Sequence, residues 1–228
     1  MTVIGVPVLN RPDLLVSLLR SIDEDWPVVV IDNSDGPEIA QACEPFDVTL
    51  SMPPANLGVA ASWNLVIRTH PGASWWCMAN ADTVLGPGDL ARLAAVMEEP
   101  GPRWVGMNGD WRVFGLNREA VEIVGLFDEN YHPIYCEDAD YERRCTLAGV
   151  PWFFIDGAAT HVGSVAYRSE ARYAEANART YPANVDYYVR KWGGHLRGGE
   201  RFTTPFDRGG SVREWTLDLS RLRAQAWA

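Results

Sequence analysis

Short apolar runs alternate along the first half of the chain with segments whose apolar residues recur every three or four positions. Val3–Val8, Val28–Ile31, Val48–Met52 and Trp75–Met78 are near-continuous apolar runs of strand length. Asp13–Ile22 places Leu14, Leu15, Leu18, Leu19 and Ile22 at helical spacing, and Gly58–Arg68 puts Trp63 and Ile67 four apart. Leu90–Met97 is helical again. Strands alternating with helices predict an α/β unit with a mainly parallel sheet, whose strands are buried on both faces and so read as unbroken apolar runs. Ligands of such sheets collect beyond the carboxyl ends of the strands. Asn10, Asp32 and Asp82 follow three of the predicted strand ends.

The second half is patterned differently. Trp104–Phe114 reads as strands and turns, Arg118–Val124 as a short helix, and Glu137–Leu147 as a helix stopped by Gly149. Val150–Ile155 is a strand, with His161 in the loop beyond it. Ser169–Trp192 is helical, with Pro182 as a break or kink. Gly193–Ala228 is rich in Gly and Arg and weakly patterned. These patterns divide the chain into a core over residues 1–166 and a helical and irregular extension over 167–228, packed on that core. The final Gly- and Arg-rich stretch is a candidate for self-association as a homodimer.

Composition narrows the function classes. The 228 residues suffice for one domain with a sizeable core, and 47% hydrophobic with 22% charged residues is ordinary for a folded soluble protein. A net charge of −10 excludes a long nucleic-acid track, which needs clustered Lys and Arg. It leaves room for a small phosphate ligand held by backbone N–H groups and a metal. Cys43, Cys77, Cys136 and Cys145 form no Cys-x-x-Cys pair and read as buried thiols of a reducing compartment. No stretch approaches the roughly 18 apolar residues of a membrane span, and the first residues lack the marks of a signal peptide. The expected location is the cytoplasm, with peripheral membrane contact left open.

Three groups of residues are candidates for chemistry. In Asn80-Ala81-Asp82, a carboxylate just past a buried strand suits a hard cation that neutralises a diphosphate, although such an Asp equally makes a turn or helix cap. In Glu137-Asp138-Ala139-Asp140, Asp140 and Arg144 are four apart and suit an intrahelical pair. Glu137 and Asp138 are harder to explain structurally, and either suits a general base toward an acceptor hydroxyl. His161, among small residues, is either a packed side chain or a metal ligand.

The order of these groups resembles the family 2 glycosyltransferases of the GT-A fold, particularly the branch with rhamnosyl- and galactofuranosyltransferase-like enzymes. Val6-Pro7-Val8-Leu9-Asn10-Arg11 with the following leucines is similar to that family's first strand and helix. Val29-Val30-Ile31-Asp32-Asn33-Ser34 resembles its second strand and base-binding Asp. Asn56-Leu57-Gly58 through Asn64 resembles its Asn-x-Gly segment, and Asn80-Ala81-Asp82 stands in the place of its Asp-x-Asp metal motif. Phe127-Asp128-Glu129, Glu137-Asp138-Ala139-Asp140 and Arg144 resemble its acceptor-side acidic motif. His161 falls where this branch has a metal-binding His.

The resemblance implies a Rossmann-like, mainly parallel central sheet flanked by helices, and inverting transfer from a UDP- or dTDP-sugar. Asp32 would accept from the pyrimidine ring, and Pro7, Val8 and Asn10 would line the base pocket. Asn56 and Asn64 would contact the nucleotide or order its loop, and Asn80 and Ala81 would join the sugar-nucleotide contacts. Asp82 and His161 would hold Mn²⁺ or Mg²⁺, and Asp138 would be the base with Glu137 as runner-up. The acceptor would be a hydroxyl of a glycan, a lipid-linked glycan or a protein. Asn80 departs from the motif, since an amide is a weaker ligand for a dication, so the donor's phosphates are needed to complete the coordination. Two other classes compete with this one. A nucleotidyltransferase would carry a basic Gly-rich loop where Pro7–Asp13 stands, and an inactive sugar-nucleotide-binding or scaffold protein would have no need of Asp138.

Overall fold

A computed structural model describes residues 1–161 and 171–213. The strands in chain order are β1 (Thr2–Val8), β2 (Val28–Asp32), β3 (Val48–Ser51), β4 (Trp75–Ala79), β5 (Thr83–Val84), β6 (Trp104–Met107), β7 (Asp110–Asn117), β8 (Trp152–Ile155) and β9 (Thr160–His161). The helices are α1 (Pro12–Ser21), α2 (Glu38–Cys43), α3 (Gly58–Thr69), α4 (Asp89–Met97), α5 (Arg118–Val124), α6 (Glu137–Ala148) and, here, α7 (Ala171–Trp192).

Seven strands form one sheet in the order β3-β2-β1-β4-β7-β6-β8, and β5 pairs with β9 in a separate two-stranded ladder. All the pairings in the large sheet are parallel except those of β7, which runs antiparallel to both β4 and β6. The apolar runs sort by the two-residue period of a strand. Ile4, Val6, Val8, Trp75, Cys77 and Ala79 face one core with α1 and α4. Val3, Val29, Ile31, Trp76 and Met78 face the other, with α3, α5 and α6. Both faces are covered, which is why these strands read as continuous rather than alternating. Gly5 permits close packing: a Cβ there would sit 2.8 Å from Met78 Sδ and from Val66 Cγ2.

Three features differ from the sequence expectation. The helix α2 is only six residues long, too short to register as a period. His161 lies on a strand rather than in a loop, because β5 and β9 are two-residue partners that no run of apolar residues announces. Helix α7 is not broken at Pro182. A mid-helix proline costs about 3 kcal/mol. Beyond it, Tyr188 and Trp192 are fully buried. Each removes roughly 150–250 Å² from water, about 4–6 kcal/mol before entropy, so packing outweighs the proline. The expected core boundary at 166/167, the helix start at Ser169 and the residues just after His161 lie outside the described residues, as do residues 214–228 of the terminal stretch.

Candidate active site

The carboxyl ends of β1, β2 and β4 open onto one cavity of about 450 Å³. It lies where the order of the parallel strands reverses around β1 and β4, the usual binding crevice of an open α/β sheet. Its lining includes Pro7, Val8, Asn10, Asn56, Asn80 and Ala81, together with Asp82, His161, Glu137 and Asp138. Ten sequence-predicted site residues, spread over 155 positions, thus meet in one place.

Asp32 and Asn64 are not among the lining residues. Asp32 is buried at the end of β2 and accepts from the Ser34 N–H at 2.9 Å, whereas its neighbour Asn33 lines the cavity. Asn64 is fully buried. Its amide donates to Phe127 O and Glu129 Oε1, and its carbonyl accepts from Phe127 N, at 2.7–2.9 Å. Of the two roles expected for Asn64, ordering a loop is the one these bonds describe.

The first wall is the turn from β1 into α1. Asn10 and Arg11 both have left-handed backbones, at φ 51° and 62°. Such strain persists where surrounding contacts enforce it. Here the Asn10 N–H is held by Ser34 Oγ at 2.7 Å. The Asn56-Leu57-Gly58 segment forms the second wall. Asn56 Oδ1 caps the Gly58 N–H at 2.8 Å, and Gly58 has φ +76° with a missing Cβ that would fall 2.6 Å from Pro133 O. That position demands glycine. The contact brings His132–Tyr135 over the cavity, sealed by Val59 N donating to Pro133 O at 2.8 Å.

The β5–β9 ladder pairs Thr83 with His161 and so brings Asp82 beside His161 from 79 positions away. His161 Nε2 lies 2.9 Å from Asp82 Oδ1, with both side chains partly exposed to the cavity. A carboxylate oxygen and an imidazole nitrogen are suitable donors for a divalent cation. At 2.9 Å these two atoms make a direct hydrogen bond with one another, and a cation would have to replace it. Among the described residues, no group of three or more His, Cys, Asp or Glu side chains is placed to hold a metal. Asp82 and His161 would supply two ligands at most, and the remaining ones would come from a bound molecule or water.

Glu137 and Asp138 begin α6, after Tyr135 and Cys136, two further left-handed residues at φ 81° and 78°. Acidic residues in this first turn suit the helix dipole. Glu137 is buried. Burial first, and the charge of Asp138 second, push its pKa well above the ordinary 4.5, and backbone N–H groups offset this only in part. Its Oε2 has no hydrogen-bond partner. Burial and the neighbouring Asp138 charge thus favour the protonated form of Glu137 more than in a solvated carboxyl. Asp138 is more open, with its side chain 31% exposed, and Oδ2 lies 3.0 Å from Arg197 Nη2.

Beneath these two residues lies a buried ion cluster. Asp140 pairs with Arg144 Nε at 2.8 Å, as the four-residue spacing predicted. Lys191, from the end of α7, reaches Asp140 Oδ1 at 2.5 Å and Asp128 Oδ2 at 2.7 Å, with all four charged side chains buried. Trp192 Nε1 and Tyr187 OH donate to the same two carboxylates, each at 2.9 Å. Burial pulls Asp128 upward, but Lys191 and the hydrogen bonds of Asn130 more than offset it and bring its pKa to about 2. Arg197 and the cavity residues of α7 were not foreseen as parts of the site. The α7 residues left a signal, since Tyr173, Ala176, Asn177 and Thr180 recur at helical spacing along one face of α7 and line the cavity.

Residues 3–145 match the family model for "Glycosyl transferase family 2". The chain belongs to that family. A galactofuranosyl glycosyltransferase of Leishmania donovani is 46% identical over 43 residues, which are 19% of this chain and 10% of that protein. The fold is GT-A. S. aureus TarS 1–349 in complex with UDP superposes with a TM-score of 0.53 at 13% identity, over 84% of this family 2 chain and 72% of that one. GalNAc-T7 with UDP, GalNAc and Mn²⁺ superposes with a TM-score of 0.60 at 10% identity, over 84% and 50%. A further TarS 1–349 structure is covered over 55% of its length. The chain thus spans about a tenth of the curated relative and about half of that structural neighbour.

Proposed function

We propose that this family 2 chain transfers a glycosyl group, with inversion, from a pyrimidine nucleoside-diphosphate sugar to an acceptor hydroxyl. The observation that carries the reading is the meeting of the Asp82–His161 pair and Asp138 in one cavity at the carboxyl ends of the parallel strands. The UDP in the TarS structure and the UDP with Mn²⁺ in the GalNAc-T7 structure support the same class of donor.

In this reading the turn Pro7–Asn10 and Asn56 surround the nucleoside, and Asp32, next to the lining residue Asn33, is the acceptor for a uracil or thymine N–H. Asn80 and Ala81 contact the ribose or the sugar. Asp82 and His161 hold Mn²⁺ or Mg²⁺, which supplies charge neutralisation of the diphosphate leaving group. Asp138 takes the proton of the attacking hydroxyl while the acceptor oxygen bonds to the anomeric carbon. The bond from that carbon to the phosphate oxygen breaks, and its electron pair leaves on the nucleoside diphosphate. Glu137, whose pKa is held well above the usual carboxylate range by burial first and the Asp138 charge second, is the runner-up base. The acceptor is a hydroxyl of a glycan, a lipid-linked glycan or a protein.

A thermal-shift panel of UDP-, dTDP- and GDP-sugars with Mn²⁺ tests the donor class, since a ligand of the native state raises its stability. UDP- or dTDP-sugars should raise the melting temperature and GDP-sugars should not. Preference for GDP-sugars would overturn the pyrimidine assignment.

A further inference from the structure

A second cavity of about 530 Å³ adjoins the donor cavity, and Trp111 and Asp138 line both. Its volume falls within the roughly 300–1,000 Å³ typical of ligand pockets. This space offers a hydroxyl an approach to Asp138 outside the donor cavity. We propose that it is the acceptor subsite and that it takes an uncharged saccharide. The inference rests on the donor reading above and adds to it the class of acceptor.

The walls carry the chemistry. Trp152 and Phe154 are two apart on β8, so they share one face of an edge strand, and both line the cavity with Trp111. Aromatic faces of this kind pack against the apolar faces of sugar rings. Glu142 and Asp138 provide acceptors for sugar hydroxyls, and Trp111 Nε1 fixes Glu142 Oε1 at 2.8 Å. Arg197 forks between them, with Nη2 3.0 Å from Asp138 and Nε 3.1 Å from Glu142 Oε2. Its guanidinium is therefore already matched by carboxylates. Asp110 is taken up by Arg112, and among the remaining charges the three carboxylates of Asp138, Glu142 and Glu200 outnumber the two guanidiniums of Arg143 and Arg197. A phosphorylated acceptor would meet an excess of like charge, whereas a neutral polyol would not.

This wall is built rather than incidental. The carboxylate of Glu200 accepts from the N–H groups of Arg197 and Gly198, both at 2.7 Å, and from Tyr188 OH of α7 at 2.6 Å. The turn that presents Arg197 is thereby tied to the buried end of α7. Trp152, Phe154 and Arg197 all lie beyond residue 145, outside the segment that matches the family model.

The test uses the full chain with saturating UDP and Mn²⁺, and reads saturation transfer by NMR to methyl hexopyranosides and to their 6-phosphates. The uncharged glycosides should receive saturation and the phosphates should not. Trp152→Ala should weaken glycoside binding about fivefold. Thr146→Phe, an exposed position on α6 at the rim of the cavity, should do the same by filling it and by removing the hydroxyl to which Trp152 Nε1 donates at 2.9 Å, with the aromatic rings themselves retained. UDP affinity should stay within twofold in both variants. Equal or stronger saturation of the phosphates, or unchanged glycoside binding in both variants while UDP still binds, would overturn the acceptor assignment. Failure of the unaltered chain to bind UDP would instead remove the donor reading, and this inference with it.

Discussion

The two chemical corners of the cavity are held in place by different means. Asp82 and His161 are set by main chain: a two-residue ladder fixes their separation, and neither side chain is buried. Glu137 and Asp138 are set by side chains. Their helix is locked from below by Lys191, Asp128, Asp140 and Arg144, all buried, with Lys191 and Trp192 supplied by a helix far along the chain. A side-chain change at the first corner should therefore alter chemistry and leave the fold. A change beneath the second should alter the fold first. The difference also gives α7 a dual part, since one end is anchored in the ion cluster while a face nearer its start lines the cavity.

The largest effect should come from Asp138→Asn. Loss of a general base should lower kcat about 10²–10⁴-fold while donor affinity stays within a few fold. Near-normal turnover would remove Asp138 from the base role. Next is Lys191→Met, which leaves two buried carboxylates without their shared cation. Breaking a buried pair in this way costs about 3–5 kcal/mol, readable by urea denaturation. Asp82→Ala, by contrast, should leave the denaturation midpoint nearly unchanged and abolish the metal dependence of activity. Equal stability losses for these two variants would erase the contrast between the corners.

The pH dependence sharpens the same contrast. Asp128 has a folded-state pKa below its ordinary 3.8, so its stabilising contribution is present above that value and is lost as the pH falls toward about 2. Lys191→Met should lose less stability than the unaltered chain across that window. Glu137 has the opposite sign. Its raised pKa makes its contribution full below 4.5 and progressively lost as the pH rises through the folded value. Glu137→Gln should therefore gain stability relative to the unaltered chain as the pH rises above 4.5. The smallest effect is expected at the exposed pair of Arg172 with Asp35, where Arg172→Ala should change stability by less than about 1 kcal/mol.

The sequence revealed whatever a regular period or a short spacing encodes. Strands β1, β2 and β4 were legible because burial on both faces makes them unbroken apolar runs, and the polar residues after them located the cavity. The Asp140–Arg144 pair was legible because one helical turn joins the two residues. The Lys191–Asp128 pair was not, since 63 positions separate the partners and a lysine is ordinarily a surface residue. Nor was the Arg197–Asp138 contact, because Arg197 sits on a left-handed turn that follows no period. Asn64 carried two readings until its three hydrogen bonds to Phe127 and Glu129 were seen. His161 was recognised as a candidate ligand, but its partner strand was too short to show in the pattern.

The most direct test of the account measures glycosyl transfer from UDP- and dTDP-sugars with Mn²⁺, and then in excess EDTA. The account predicts transfer from one of these donors that EDTA abolishes and added Mn²⁺ or Mg²⁺ restores. Full activity in EDTA would contradict the metal role of Asp82 and His161.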